Sequence, residues 1–132
     1  MAYADVDKVI SLVAGADLLA HRLVYCSASG TANYVTTNSS APIGVTLDSA
    51  YSGGAVSVVV DGVAKCYAYT SITAGNLVCM ATDAAGMLQH AHTDCATASA
   101  TWIPTVGVAL ETGSNSSLIA VNLKICNAWK PD

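Results

Sequence analysis

The chain has 132 residues, of which 53% are hydrophobic and only 11% charged, and its 5 Lys+Arg against 9 Asp+Glu give a formal net charge of −4. That balance excludes disorder, which goes with few apolar residues and high charge, and a single arginine excludes nucleic-acid binding through a basic patch. No run of about 18 apolar residues escapes interruption by Ser, Thr, Gly or Asp, so no membrane-spanning helix is expected.

The mean hydropathy of +0.49 then points to a compact domain. Folded as a monomer of 13.4 kDa it would expose roughly 6,500 Å², or about 460 Å² per charged residue. A surface that neutral belongs in an assembly or aggregates.

The first residues, Met1 to Lys8, are acidic where a secretion signal is basic, and no long apolar stretch follows. Synthesis and folding in a reducing cytoplasm are expected. Beyond them, period-two alternation and β-branched runs predict strands almost throughout. Leu23-Val24-Tyr25-Cys26 is a strand closed by the turn Ser27-Ala28-Ser29-Gly30, and Tyr34-Val35-Thr36-Thr37 is another. Ile43-Gly44-Val45-Thr46-Leu47 follows Pro42, which cannot donate into a ladder and marks a strand start or an edge.

Next, Val56 to Val60 and Val63 to Tyr69 flank Asp61-Gly62, a dipeptide suited to a two-residue hairpin turn. A hairpin is expected there. Leu77 to Met80, Met87 to Ala91, Thr105 to Leu110 and Leu118 to Ile125 complete the strands, with turns at Asp83 to Gly86 and Thr112 to Ser117. A short helical turn is conceivable over Asp94 to Ala100, where alanine favours helix and threonine and serine oppose it.

The halves repeat. Leu23 to Cys26 matches Leu77 to Met80, Ile43-Gly44-Val45 matches Val106-Gly107-Val108, and Val56 to Val60 matches Leu118 to Leu123, while Gly15 is set against Gly75. The expected fold is therefore all-β, a small antiparallel β-barrel or sandwich with an internal duplication, pseudo-repeats spanning about 13–70 and 71–126. Closure of that kind removes exposed strand edges. Residues 1–12 find no counterpart in the second half and read as an extended N-terminal arm on a single domain, 13–132.

Catalytic patterns are missing: no G-x-S-x-G, no glycine-rich phosphate loop and no H-E-x-x-H occur. Asp17, Asp48, Asp61 and Asp83 each adjoin a turn signal and read as turn formers. His90, His92 and Asp94 alternate, so an extended strand would direct all three to one face. They are weak candidates for a divalent metal site; a solvated strand end is the preferred reading, and no metal or cofactor is expected. His21 has no partner nearby in sequence and reads as structural.

The five cysteines (Cys26, Cys66, Cys79, Cys95, Cys126) contain no C-x-x-C pair. They read as buried thiols acting as small hydrophobes, a disulfide framework being disfavoured in a reducing compartment. Asn38-Ser39-Ser40 and Asn115-Ser116-Ser117 read as polar turns. Trp102 fits the core or an interface equally, and Trp129, in a short terminal segment, reads as a contact with another subunit.

In order and spacing, Val13-Ala14-Gly15-Ala16-Asp17, Pro42 to Leu47, Val58 to Val63, Ile72 to Val78 and Val106 to Glu111 resemble the small decoration, or cement, proteins of tailed-bacteriophage heads. There, such segments recur as a T-A-G-D-x-V turn-strand, an I-G-V-A strand and a V-x-V-x-G-V hairpin. The similarity spans roughly residues 10–125; the cysteines and the insertion from Asp94 to Trp102 depart from the pattern.

The resemblance implies a non-enzymatic structural virion protein on the outer surface of the head, a homotrimer that clamps neighbouring major capsid protein subunits. The expected partners are the capsid protein and other copies of the chain, with no nucleic acid and no membrane. On this reading the arm contacts the capsid through Val6, Val9, Ile10 and Leu12, adding a strand to an exposed sheet edge, while Trp102 and Trp129 serve capsid or subunit contacts. A fibre or receptor-binding module of the same virion, presenting a loop such as Tyr51-Ser52-Gly53-Gly54, is the alternative; a small metal-dependent enzyme at His90, His92 and Asp94 is the remote one.

Overall fold

The computed structural model describes residues 6–35, 42–81, 86–90 and 102–129, with side chains over 8–35, 42–81, 86–89 and 105–125. Among the described residues nine strands follow in order: β1 (Val6–Ala14), β2 (Leu23–Cys26), β3 (Thr31–Tyr34), β4 (Pro42–Thr46), β5 (Ala55–Tyr67), β6 (Leu77–Met80), β7 (Leu88–His90), β8 (Trp102–Ala109) and β9 (Leu118–Trp129). The fold is all-β, and no helix occurs among the described residues. The segment Asp94 to Ala100, where a helical turn was conceivable, lies outside them.

Pairing closes a ring of five strands, β1–β3–β2–β4–β5, with β5 returning to β1. On the far side of β5 the sheet continues β9–β8–β6–β7. A parallel bridge between Ala68 and Leu88 joins β7 back to the end of β5. A second ring is thus drawn on the plan of the first, with β5 common to both. Closure leaves few unpaired edges, which a sheet this apolar requires.

The duplication can be followed bond by bond. Leu23 pairs with Val45 and Leu77 with Val108; Val24 pairs with Gly44 and Val78 with Gly107; each pair is followed by a register shift. Leu18 bridges Ala50, and Ile72 bridges Gly113. Asp48 Oδ1 accepts the Ser57 amide as Glu111 Oε2 accepts that of Ala120. Gly44 and Gly107 sit where neighbouring backbone leaves no room for a side chain: a methyl group would strike the Val59 carbonyl oxygen at one and that of Asn122 at the other.

Three sequence expectations are corrected. Asp61-Gly62 makes no hairpin, because Ala55–Tyr67 is one strand of 13 residues. Gly62 takes φ +100° and its amide binds Asp61 Oδ1, and here the register with β1 shifts. Positive φ at a bulge satisfies the same glycine preference as a turn.

Residues 6–12 form no separate arm. β1 pairs along β5 from Val6 opposite Gly62 to Val13 opposite Ala55, and lies parallel to β3. Its counterpart is the second part of β5, Leu12 standing where Cys66 stands, so the repeat starts at β1 rather than at residue 13, and Gly15 aligns with Tyr69 rather than with Gly75. The third correction is smaller: β3 begins directly after the Gly30 turn and ends at Tyr34, and residues 36–41 are outside the described chain.

Two apolar clusters form the core. Ala14, Leu18, Val24, Ala32, Val56 and Val58 fill the first ring. Their counterparts Ala68, Ile72, Val78, Leu88, Ile119 and Val121 belong to a larger cluster, which also takes in Leu23, Val35, Val45 and Val59 from the outer face of the first ring. The two rings are therefore welded by a shared core. Each such Leu or Val, fully buried, contributes about 1.5–3 kcal/mol of transfer free energy.

Candidate functional site

The connection from β4 to β5 and the segment after β1 meet at one end of the first ring. Leu18 and Ala50 exchange two backbone hydrogen bonds, of 2.8 and 2.9 Å, and form the floor. Asp17 Oδ1 accepts the Ser52 amide at 2.9 Å, and the Tyr34 hydroxyl accepts the Leu19 amide at 2.6 Å. The turn closes with the Gly54 amide on the Tyr51 carbonyl, Gly53 taking φ +86°.

Tyr51 is held at the tip with 83% of its surface exposed, and Leu19 opposite it with 58%. Between them lies an open groove of about 440 Å³, lined by Asp17, Leu18, Leu19, Tyr34, Ser49, Ala50 and Tyr51. An exposed phenol ring on a backbone-pinned turn presents an apolar face and a hydroxyl tip to solvent. In the second ring, Gly113 takes the place of Ala50 and Ser114 that of Tyr51, so the aromatic tip belongs to the first ring alone.

Exposed apolar side chains continue around the molecule at Val9, Val13, Leu47, Leu77 and Leu110. Of the residues expected to make contacts, Val9 is exposed on β1, whereas Ile10 and Leu12 pack against the first-ring cluster. Val6 stands opposite Gly62 at the start of β1. Trp102 and Trp129 are brought together, directly opposite each other at the end of the β8–β9 ladder. His90 ends β7, and His92 and Asp94 fall outside the described residues. Among the described residues no three His, Cys, Asp or Glu side chains converge.

The turn reading of the aspartates takes a specific form: Asp17, Asp48 and Asp61 each accept a backbone amide, and Asp83 lies outside the described residues. His21 takes φ +63° at the position of Gly75 and packs edge-on to Tyr67, their ring centroids 6.4 Å apart. The Arg22 guanidinium lies over the same ring, 4.8 Å from its centroid, with Nε buried and without a hydrogen-bond partner.

The cysteines do not behave alike, which corrects the reading of all five as thiols. Cys26 is free and exposed, Cys66 is free and buried, and Cys79 is disulfide-bonded. Burial pushes the Cys66 thiol up to about 12, removing it from nucleophilic chemistry at neutral pH.

No protein-family model matches the chain, and no curated protein matches its sequence. Among solved structures, the N base of the head fiber gp8.5 of bacteriophage phi29 is similar, with a TM-score of 0.66 and 17% identity over 89% of this chain and 93% of that one. At that identity the likeness is one of fold.

Proposed function

We propose that this chain is a structural protein of a phage head, seated on the outer surface of the shell and reinforcing contacts between major capsid protein subunits. The observation that carries the reading is the fold likeness to a head fiber base along nearly the whole length of both chains. The surface supports it: only 11% of residues are charged, and exposed apolar side chains recur around both rings. Packing such a surface against several neighbours desolvates few charges, and repeated modest contacts add to high avidity. Val9 and Val13, exposed on β1, are available to the shell, so a contact by this strand requires no detached arm. The function is binding, and no cofactor enters it.

The Tyr51 groove favours a second reading, a fibre base or receptor-binding module of the same virion. Copy number separates the two. Added to purified heads that lack it, the protein is expected to bind in hundreds of copies at regular positions over the shell and to raise the temperature at which the heads break. A few copies at isolated positions, or cell attachment by the free protein, would give the role to the fibre reading. No binding to any head would remove both.

A further inference from the structure

The duplication carries an assembly rule. Inside the chain, the exit of the second hairpin is docked on the first ring: the Leu23 amide donates to the Gly86 carbonyl at 2.7 Å, and the Gly86 amide donates to the Val35 carbonyl at 2.9 Å. Gly86 is pressed against Arg22 and Tyr34, and Leu23 beneath it is 0% exposed.

Both partners of this contact have a duplicate. Gly30 holds the place of Gly86 in the β2–β3 hairpin, shown by the matching bonds Ser27 N to Thr31 O and Ala81 N to Met87 O, and both glycines have positive φ. Yet Gly30 has nothing within 4 Å of where a side chain would start. The counterpart of the receiving row Leu23–Val45–Val59 is Leu77–Val108–Asn122. There Leu77 is 45% exposed. Among the described residues, one hairpin and one receiving row are spent on each other, and one of each is left over.

We propose that copies of this chain associate head to tail, the β2–β3 hairpin of one copy docking on the Leu77–Val108–Asn122 row of the next. The free hairpin and the free row lie on different rings, so the contact is heterologous and closes into a ring or runs on as a filament. Asn122 in place of Val59 suits a face that must stand in water before it is covered, since such interfaces are more polar than a core. Cys26 supplies a reporter: it holds the position of Met80, which is buried in the cluster containing Leu23 and Val35, whereas Cys26 is exposed in the single chain. This inference concerns self-association and does not rest on the head-surface reading.

The test uses the full chain, sized by light scattering through a dilution series, with alkylation of Cys26 followed in parallel. The wild type is expected to be oligomeric and to lose Cys26 protection on dilution. Leu77→Asp on the row and Ala28→Arg on the hairpin are each expected to give a folded monomer with fast alkylation. Mixed, the two variants retain one intact hairpin and one intact row between them, and the expected product is a dimer that grows no further. A monomeric wild type, an oligomer that survives both substitutions, or a mixture that stays monomeric would each overturn the proposal. Should Leu77→Asp fail to fold, the alkylation and size of Ala28→Arg alone decide between loss and survival of the oligomer.

Discussion

The rows Leu23–Val45–Val59 and Leu77–Val108–Asn122 hold the same places in two copies of one motif, yet the first is fully covered and the second is not. The first sits between the rings and is as dry as any core. The second ends the stack, and one of its three residues has become polar. The position of a repeat in the series, more than its own strand pattern, decides what its outer face must be, as in repeat proteins whose terminal units differ from the interior ones.

The sharpest way to break this comparison is to remove what makes the first ring a ring. Deleting residues 1–12 takes away most of β1, which pairs with both β5 and β3. The expected result is loss of cooperative unfolding in urea, because Val56 and Val58 lose their cover and β5 gains an open edge, while Val13 and Ala14 keep their pairing with β3. A truncated protein that unfolds with the midpoint of the full chain would show that the second ring folds independently of the first.

Next in size are the paired glycines. Gly44→Ala and Gly107→Ala each force a methyl group into backbone, and each is expected to destabilise by about 4 kcal/mol or more. Gly30→Ala meets open space and carries only the strain of a left-handed backbone, about 1–2 kcal/mol. Equal losses at Gly44 and Gly107 would confirm that the duplication is structural at this point; a tolerant Gly107 would show the outer ring yielding where the inner one cannot.

Smaller, and aimed at the two rows themselves, are Leu23→Ala and Leu77→Ala. Leu23 is fully buried, so its truncation should cost about 2–5 kcal/mol. Leu77 is 45% exposed, and in the monomer its truncation should stay within about 0.5–1 kcal/mol. Chemical denaturation at a concentration where the chain is monomeric distinguishes them.

Much of this was legible in the sequence. Leu23 to Cys26 and Leu77 to Met80 are strands to the residue, because short β-branched and apolar runs between turn residues leave little freedom. The match of Gly44 with Gly107 is equally plain, since both need close backbone approach. What the sequence hid was non-local. Asp61-Gly62 between alternating valines is the same local signal for a hairpin and for a long bulged strand, and only the partners β1 and β9 decide between them. Taken as a hairpin, the dipeptide hides the match between β1 and the second part of β5, and residues 1–12 then look like an arm. The loop Tyr51-Ser52-Gly53-Gly54 was legible as a candidate contact but its groove was not, because Leu19 and Tyr34 reach it from other parts of the chain.

Cys66 gives the last and smallest contrast. It occupies in the second ring the place that half-buried Leu12 holds in the first, and it is fully buried, its Sγ donating to the Gly86 carbonyl at 3.8 Å. Burial raises its pKa from 9.0 to about 12, outweighing the backbone amides and Arg22 that lower it. A thiol held neutral in the folded state contributes no pH dependence below 9, where folded and unfolded chains both keep the proton. Between 9 and 12 only the unfolded chain releases it, so stability falls as pH rises, by about 1.4 kcal/mol per unit. Cys66→Ala removes that proton and should flatten this share of the alkaline decline, which urea titrations of both proteins at pH 8 and pH 10 would measure. An equal decline in the variant would mean that the weld between the rings tolerates a charged sulfur.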